Sequence, residues 1–204
     1  VDFGYIMDSI SKTFSYSFFS KPYKQGFTLI ELMVAIAVAA IVYAIALPSL
    51  TTFIVKARVD NEISEMQRLL LTARNMAINT GKNTTVCPLS GGVCTTNWEN
   101  KISVFTNSDN LIASNNTFAA PDELVKVKDA IQSGDRLQFS QTSIIYAPTG
   151  RIITTPANFN YCPKDEADSS RGINVSASGR SYTTSDIDHD GKDENRSGTE
   201  VVCI

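Results

Sequence analysis

Glu31 is the one charged residue in an apolar stretch that runs from Phe27 to Val55. A carboxylate near the start of such a stretch is costly to bury, so it requires a partner. At the helical rise of about 1.5 Å per residue the stretch would extend roughly 43 Å, which exceeds the hydrocarbon core of about 30 Å. The sequence therefore predicts a membrane-spanning helix with a single acid near its start.

A second set of candidate ligands lies near the carboxyl end. Three carboxylates there alternate with other residues: Asp186, Asp188 and Asp190. With Gly191 after them they resemble the opening of a calcium loop, which places oxygen ligands at alternate positions and glycine at the sharp turn. The glutamate that ends the calcium loop of an EF-hand would fall at position 197, which is serine here. Glu194 or Glu200 would have to take its place as a ligand. A solvated acidic hairpin tip explains the same residues, and on this interpretation we predict no metal or other cofactor.

His189, the only histidine, lies inside this acidic segment. No serine or cysteine is evidently placed to act with it as a nucleophile, because the cysteines are better used as bridges. We therefore predict that the protein is not an enzyme. A secreted hydrolase with an amino-terminal anchor is the alternative.

The four cysteines predict two disulfide bonds in a domain delivered outside the cytoplasm, where bridges form and persist. Among the three connectivities we predict Cys87 with Cys94, around a compact turn, and Cys162 with Cys203, which ties the chain end to a strand. Loop entropy gives about 2.5 kcal/mol for the short link and about 4 kcal/mol for the long one. A zinc site is the alternative, but the chain has no CxxC spacing.

Beyond Val55 the apolar residues become periodic, which predicts that the helix continues as an amphipathic half over 56–80. Its apolar positions recur at steps of three and four: Val55, Val59, Ile63, Met66, Leu70, Ala73 and Ala77. Gly81 follows Asn79 and Thr80 and supplies a cap, so one helix of about 80 Å should run from 27 to 79.

The remainder, 81–204, reads as one β-rich globular head of short segments separated by polar, glycine and proline breaks. The predicted strands are 84–87, 102–105, 124–128, 136–139, 143–146, 151–154, 173–177, 182–184 and 200–203. The predicted fold class is thus α+β, with a long amino-terminal helix packed against an antiparallel sheet.

The amino-terminal residues Gly26, Phe27 and Glu31 resemble the type IV prepilin signal, and Pro48 stands where many pilins carry a helix-bending proline. The resemblance implies that a prepilin peptidase removes the leader 1–26, cutting after Gly26, and methylates Phe27. It also implies that Glu31 pairs with the new amine of Phe27 during assembly. Residues 27–55 would form the membrane-spanning or filament-core half of the helix. An uncut membrane anchor is the alternative.

The head resembles the GspH/FimT family of minor pilins and pseudopilins. The resemblance rests on Cys87-Pro88, Cys94, Trp98, Gly150-Arg151, Cys162-Pro163, Arg171-Gly172-Ile173 and Ser178-Gly179-Arg180. It implies a pilin-like fold and partnership with other minor and major pilins. The expected location is the bacterial inner membrane with the head in the periplasm, and then the filament.

The resemblance implies a FimU-like minor pilin that primes or caps a type IV pilus, with a GspH-like pseudopilin of type II secretion as the alternative. DNA-binding FimT-like members are associated with a Gly-Arg-x-Arg motif, and here Tyr182 stands where its second arginine would be. The net charge of −3 leaves no basic surface expected for nucleic acid. DNA is therefore a less favoured partner.

Overall fold

The computed structural model describes residues 26–109, 111, 114–164 and 166–203. Apart from Gly26, the predicted leader 1–26 lies outside the described residues. Two compact units divide the chain, the first ending at Ile45 and the second beginning at Ala46.

The long helix, α1, extends over Leu29–Thr80, close to the predicted range 27–79. It ends where the sequence predicted, because Gly81 has a φ of 66° and its N–H donates to the carbonyl of Ala77 at 3.1 Å. A left-handed residue after the last turn closes the helix. By length and composition, α1 is the one helix among the described residues that is apolar enough to cross a membrane.

The second unit is organised around the amphipathic part of α1. Six of the predicted stripe residues are buried: Val59, Ile63, Met66, Leu70, Ala73 and Ala77. Val55 is partly buried against the same core, and Leu69, which the predicted stripe omitted, is fully buried. The helical face therefore supplies one side of the main hydrophobic core.

Two antiparallel sheets supply the rest of the head, where a single sheet was predicted. The strands of the first sheet are β1 (Thr84–Ser90), β2 (Val93–Cys94), β3 (Ile102–Thr106), β4 (Glu123–Lys128) and β6 (Ile144–Tyr146). Their order is β2-β1-β3-β4, with β6 also paired to β1. The strands of the second sheet are β5 (Arg136–Gln138), β7 (Ala157–Cys162), β8 (Arg171–Val175) and β9 (Ser181–Thr183), and their order is β5-β7-β8-β9. A short 3-10 helix at Ala167–Ser169 lies between β7 and β8. The α+β class is confirmed.

Four segments differ from the predicted strands. The predicted strands 151–154 and 200–203 contribute single bridges only, from Ile152 to Tyr146 and from Glu200 to Glu194. Two strands were missed, β2 and β7. β2 has two residues, too few for a pattern. β7 alternates asparagine with buried Phe159 and Tyr161, and its low strand propensity concealed the alternation.

An aromatic group lies in the main core beside α1. The rings of Phe139 and Phe159 are stacked, with centroids 3.9 Å apart, and Trp98 meets each of them edge-on at 4.9 Å. Trp98 is buried and its indole N–H donates to the carbonyl of Gln141 at 2.8 Å. This satisfied tryptophan fixes the loop after β2 against the second sheet.

Candidate functional site

The predicted processing site lies just before α1. Helical structure begins at Leu29, and the hydroxyl of Thr28 accepts a hydrogen bond from the backbone N–H of Glu31 at 3.3 Å. Threonine with glutamate three residues later is a capping-box spacing, in which the side chain satisfies a free N–H of the first turn. Glu31 thus has a structural place as the third residue of the helix, and its negative charge favours that end of the helix dipole.

The first part of α1, up to Ile45, has an apolar surface on all sides. Phe27 is 83% exposed, and the large hydrophobic residues up to Ile45 are exposed as well. They are Leu29, Ile30, Leu32, Met33, Val34, Ile36, Val38, Ile41, Val42, Tyr43 and Ile45. An apolar surface of this extent is unusual for a monomer in water and marks a lipid or protein contact. Glu31, also exposed, is the one charged residue within it.

Four ion pairs join the amphipathic part of α1 to the head. Lys128, at the end of β4, is only 2% exposed and its Nζ lies 2.6 Å from Oε2 of Glu62 and 3.7 Å from that of Glu65. Arg58 approaches Asp135, with Nε 3.1 Å from Oδ2. Asp60 pairs with Arg171 at the start of β8. Each pair joins residues distant in sequence, so together they fix how the sheets lie on the helix.

Asp135 joins several parts of the head. Besides Arg58, it accepts hydrogen bonds from the hydroxyl of Tyr161 at 2.5 Å and from the backbone N–H of Lys164 at 2.8 Å. Burial and then the hydrogen bond to Asp135 raise the pKa of Tyr161 above its usual range. The tyrosine therefore stays protonated and donates to the carboxylate.

Arg171 connects α1 to the carboxyl-terminal segment. Its Nε donates to Asp193 at 2.8 Å, its Nη2 donates to the carbonyl of Thr184 at 3.2 Å, and its Nη1 donates to Asp60. Burial alone would lower the pKa of Arg171, but the hydrogen bonds to the two aspartates outweigh it and raise that pKa. Arg171, part of the predicted family resemblance, thus has a structural role.

The two disulfide bonds follow the predicted pairing. Cys87 is joined to Cys94, with Cα atoms 5.5 Å apart, and Cys162 to Cys203, with Cα atoms 5.9 Å apart. The first closes the hairpin of β1 and β2, and the second ties the carboxyl-terminal segment to β7. Among the described residues no cysteine is left as a zinc ligand or nucleophile.

The acidic segment gathers into a cluster. One carboxylate oxygen from each of four residues lies within 4.8 Å of the others: Asp186, Asp188, Asp190 and Glu194. Of the two glutamates that the sequence left open, the fold brings Glu194 to the aspartates. Glu200 is instead paired with Lys192, at 3.4 Å. The negative charge of Glu200 raises the pKa of Lys192, with Asp190 adding to the effect.

His189 and Tyr182 both lie in the carboxyl-terminal part of the head and make local contacts there. His189 is exposed, has a φ of 67°, and its backbone N–H donates to Asp186 at 2.7 Å. The guanidinium of Arg196 lies over the ring of Tyr182 at 3.6 Å from its centroid, while Arg180 is exposed. This stacking of Arg196 on Tyr182 is a local packing contact between a cation and an aromatic ring.

Two contributors were missed by sequence reasoning. The Thr28 cap could have been found from the Thr-x-x-Glu spacing ahead of the apolar run. The burial of Lys128 could not be found in this way, because Lys126 and Lys128 lie in the same predicted strand and nothing in the sequence indicates which of them has a buried partner. Only the packing of β4 on α1 brings it to Glu62.

Two family models match the chain. The model described as "Type II transport protein GspH" matches residues 62–179, and the "Prokaryotic N-terminal methylation motif" matches residues 21–47. Among solved structures, the chain is similar to the type IV minor pilin FimU of Pseudomonas aeruginosa strain PAO1. That match has 18% identity and a TM-score of 0.48, and covers 61% of this chain and 86% of that one. The minor pseudopilin EpsH from the type 2 secretion system of Vibrio cholerae matches at 12% identity, with 62% and 95% covered and a TM-score of 0.44.

The GspH match spans more than half of the chain, from the amphipathic part of α1 through eight of the nine strands. The methylation motif covers Gly26, Phe27 and Glu31 together with the exposed apolar surface. The two family models agree with the two family resemblances noted in the sequence. The protein therefore belongs to the GspH family and is a minor pilin or pseudopilin, a structural filament subunit of the type IV pilus or type II secretion class.

Proposed function

We propose that this protein is a minor pilin of a type IV pilus that primes or caps the filament. In this proposal a prepilin peptidase cuts between Gly26 and Phe27 and the new amino group of Phe27 is methylated. The methylation motif over residues 21–47 supports the processing step. A glycine before the cut suits a protease that must approach the backbone closely.

The observation that carries the proposal is the exposed apolar surface of α1 between Phe27 and Ile45. A segment of this composition is stable in the inner membrane and equally in a filament core, where other minor and major pilins supply apolar neighbours. Lys21 and Lys24 precede it and would keep the leader in the cytoplasm, so that the head would lie in the periplasm.

Glu31 has the assembly role in this scheme. Its backbone N–H bonds to Thr28, whereas its carboxylate lies on an otherwise uncharged surface. Burying that charge in lipid or in a filament is unfavourable unless a cation neutralises it. The free amine of Phe27, in the same subunit or its neighbour, is the partner that cleavage creates.

Replacement of Gly26 tests the processing step. A Cβ at residue 26 would meet no atom within 4 Å, so Gly26→Val is expected to leave the described structure intact. The variant should accumulate as the uncut precursor, migrating on a denaturing gel with the wild-type protein from cells lacking the peptidase. Normal processing would contradict the assignment of the cleavage site.

Replacement of Glu31 tests assembly separately from helix capping. Glu31→Gln removes the charge but keeps the backbone N–H that bonds to Thr28. It should be cleaved normally and should strongly reduce pilus number, whereas Thr28→Ala, which removes the cap and keeps the charge, should have the smaller effect. An unchanged pilus count in Glu31→Gln cells would remove the charge-pairing role.

The second candidate is a pseudopilin of type II secretion, and the observation that favours it is the GspH model over residues 62–179. Deletion of the gene distinguishes the two. Loss of surface pili with normal export of secreted proteins supports the pilus, and the opposite result supports the secretion system.

A further inference from the structure

The acidic segment near the carboxyl end forms a closed loop. Ser185 and Glu194 exchange backbone hydrogen bonds at 3.2 and 3.0 Å, so residues 186–193 lie between two paired positions. Thr184, just before the loop, is tied to Gly172 of β8 by its backbone N–H at 2.9 Å. The two ends of the loop are therefore joined to each other, and the residue before its first end is bonded to the second sheet.

Backbone donors within the loop orient the three aspartates. Asp186 accepts from the N–H groups of His189 at 2.7 Å and Gly191 at 3.0 Å. Asp188 accepts from Asp190 at 3.2 Å, and Asp190 accepts from Lys192 at 2.9 Å. Each carboxylate offers about four lone-pair sites, so all three keep oxygen capacity for another ligand.

Glu194 is the unusual member of the cluster. It is 4% exposed, and its Oε2 accepts from the backbone N–H of Ile187 at 2.7 Å. Its Oε1 is buried and has no hydrogen-bond partner among the described residues. A buried carboxylate oxygen without a partner is costly. The same carboxylate has an oxygen within 4.8 Å of an oxygen from each of the three aspartates, and like charges at that distance repel one another. A cation in the cluster removes both penalties.

Neighbouring charges are engaged elsewhere. Lys192 is paired with Glu200 at 3.4 Å, outside the four-carboxylate group. Asp193 faces the other way, to Arg171 and to the hydroxyl of Thr184, each at 2.8 Å. The four acids of the cluster thus lie within 4.8 Å of one another without a direct cationic partner of their own among the described residues, although Lys192 is close enough for Asp190 to raise its pKa.

We propose that Asp186, Asp188, Asp190 and Glu194 form a calcium-binding site at the carboxyl-terminal end of the head. Calcium takes six to eight oxygen ligands in a flexible shell, and loops that alternate aspartates supply them from side chains, backbone carbonyls and water. Mg²⁺ prefers to retain its own waters and an octahedral shell, and zinc prefers nitrogen and sulfur. An all-oxygen, strongly anionic cluster therefore selects calcium. Bound calcium would hold loop 186–193 against β8.

Calorimetric titration of the full chain in detergent with CaCl2 tests the site. We expect saturable binding below about 1 mM, the range of extracellular calcium modules. The thermal unfolding midpoint should rise by roughly 5 °C in saturating calcium and return to its starting value with EGTA. Absence of saturable binding up to about 10 mM, well above that range, would overturn the proposal.

Two glutamates provide matched variants. Glu194→Gln should weaken calcium binding by at least about tenfold, because it removes the charge of a ligand. Glu200→Gln removes the same charge outside the cluster, so it should change the calcium affinity by less than about threefold. Asp188→Asn, at an exposed position, decides the question if Glu194→Gln does not fold. Equal weakening by Glu200→Gln and Asp188→Asn would show diffuse attraction and overturn the site. Equal affinity for MgCl2 would overturn the assignment to calcium.

Discussion

Gly179 lies so close to Gly150 that a Cβ atom at residue 179 would stand 2.1 Å from the carbonyl oxygen of Gly150. That same oxygen accepts a hydrogen bond from Nε of Arg74, on α1, at 2.9 Å. Two glycines of the family-like motifs Gly150-Arg151 and Ser178-Gly179-Arg180 therefore meet where the loop after β6 contacts the helix. The motif glycines serve packing, because only a residue without a side chain fits there.

Gly179→Ala should destabilise the protein by more than about 3 kcal/mol, since the methyl group must displace backbone. The control is Gly198→Ala. Gly198 has nearly the same φ, 74° against 75°, but no atom lies within 4 Å of its Cβ position. Gly198→Ala should therefore lower the free energy of unfolding only by the penalty for a left-handed backbone, about 1–2 kcal/mol. Equal losses in chemical denaturation would contradict the close contact.

Lys128→Ala should cost about 3–5 kcal/mol, because it leaves Glu62 without its cation in a largely buried place. Lys101 is the matched control at the neighbouring strand. It pairs with Asp129 at 3.3 Å but is 69% exposed. Lys101→Ala should therefore change the free energy of unfolding by less than about 1 kcal/mol. Similar values for both lysines would show that the Lys128 pair does not hold β4 on α1.

Stability should fall as the pH rises above about 10, the ordinary tyrosine pKa. In the folded protein burial and the hydrogen bond to Asp135 raise the pKa of Tyr161, so the tyrosine keeps its proton above pH 10. In the unfolded chain it loses that proton above about pH 10. The unfolded state then binds fewer protons, so unfolding becomes easier with increasing pH, while below pH 10 the contribution is complete. Tyr161→Phe should be less stable by about 1–3 kcal/mol at pH 7 and should show a shallower decline above pH 10. Parallel pH profiles for variant and wild type would contradict the Tyr161 contact.

Removal of the long disulfide should destabilise the head more than removal of the short one. Cys162 and Cys203 are 41 residues apart in sequence, whereas Cys87 and Cys94 are 7 apart. The loop-entropy model gives losses of about 4 and about 2.5 kcal/mol for the paired serine variants. Urea unfolding of the two double variants measures the difference. A larger loss for the Cys87 and Cys94 variant would show that strain or local packing outweighs loop closure.

Features encoded by local pattern could be read from the sequence. The buried stripe from Val59 to Ala77 and the helix end at Gly81 each depend on residues within one or two turns, and both are as predicted. The methylation motif matched over residues 21–47 is equally local. Strand β7 was missed because its asparagines have low strand propensity and concealed the alternation with buried Phe159 and Tyr161.

Contacts between distant segments could not be read. Lys128 and Glu62 are 66 residues apart, and Gly150 and Gly179 belong to different loops. Glu194 illustrates the same limit, because nothing in the sequence favoured either Glu194 or Glu200 as the fourth member of the acidic cluster. The backbone pairing of Glu194 with Ser185 brings Glu194 to the aspartates. These relationships arise from sheet topology.

The most direct test of filament-subunit processing is mass spectrometry of the native protein isolated from its own cells. The expected amino-terminal peptide begins at Phe27 and carries a methyl group on its amine, with no peptide from residues 1–26 attached. A native chain that starts upstream of Gly26, with an unmodified Phe27 inside an intact peptide, would contradict the account.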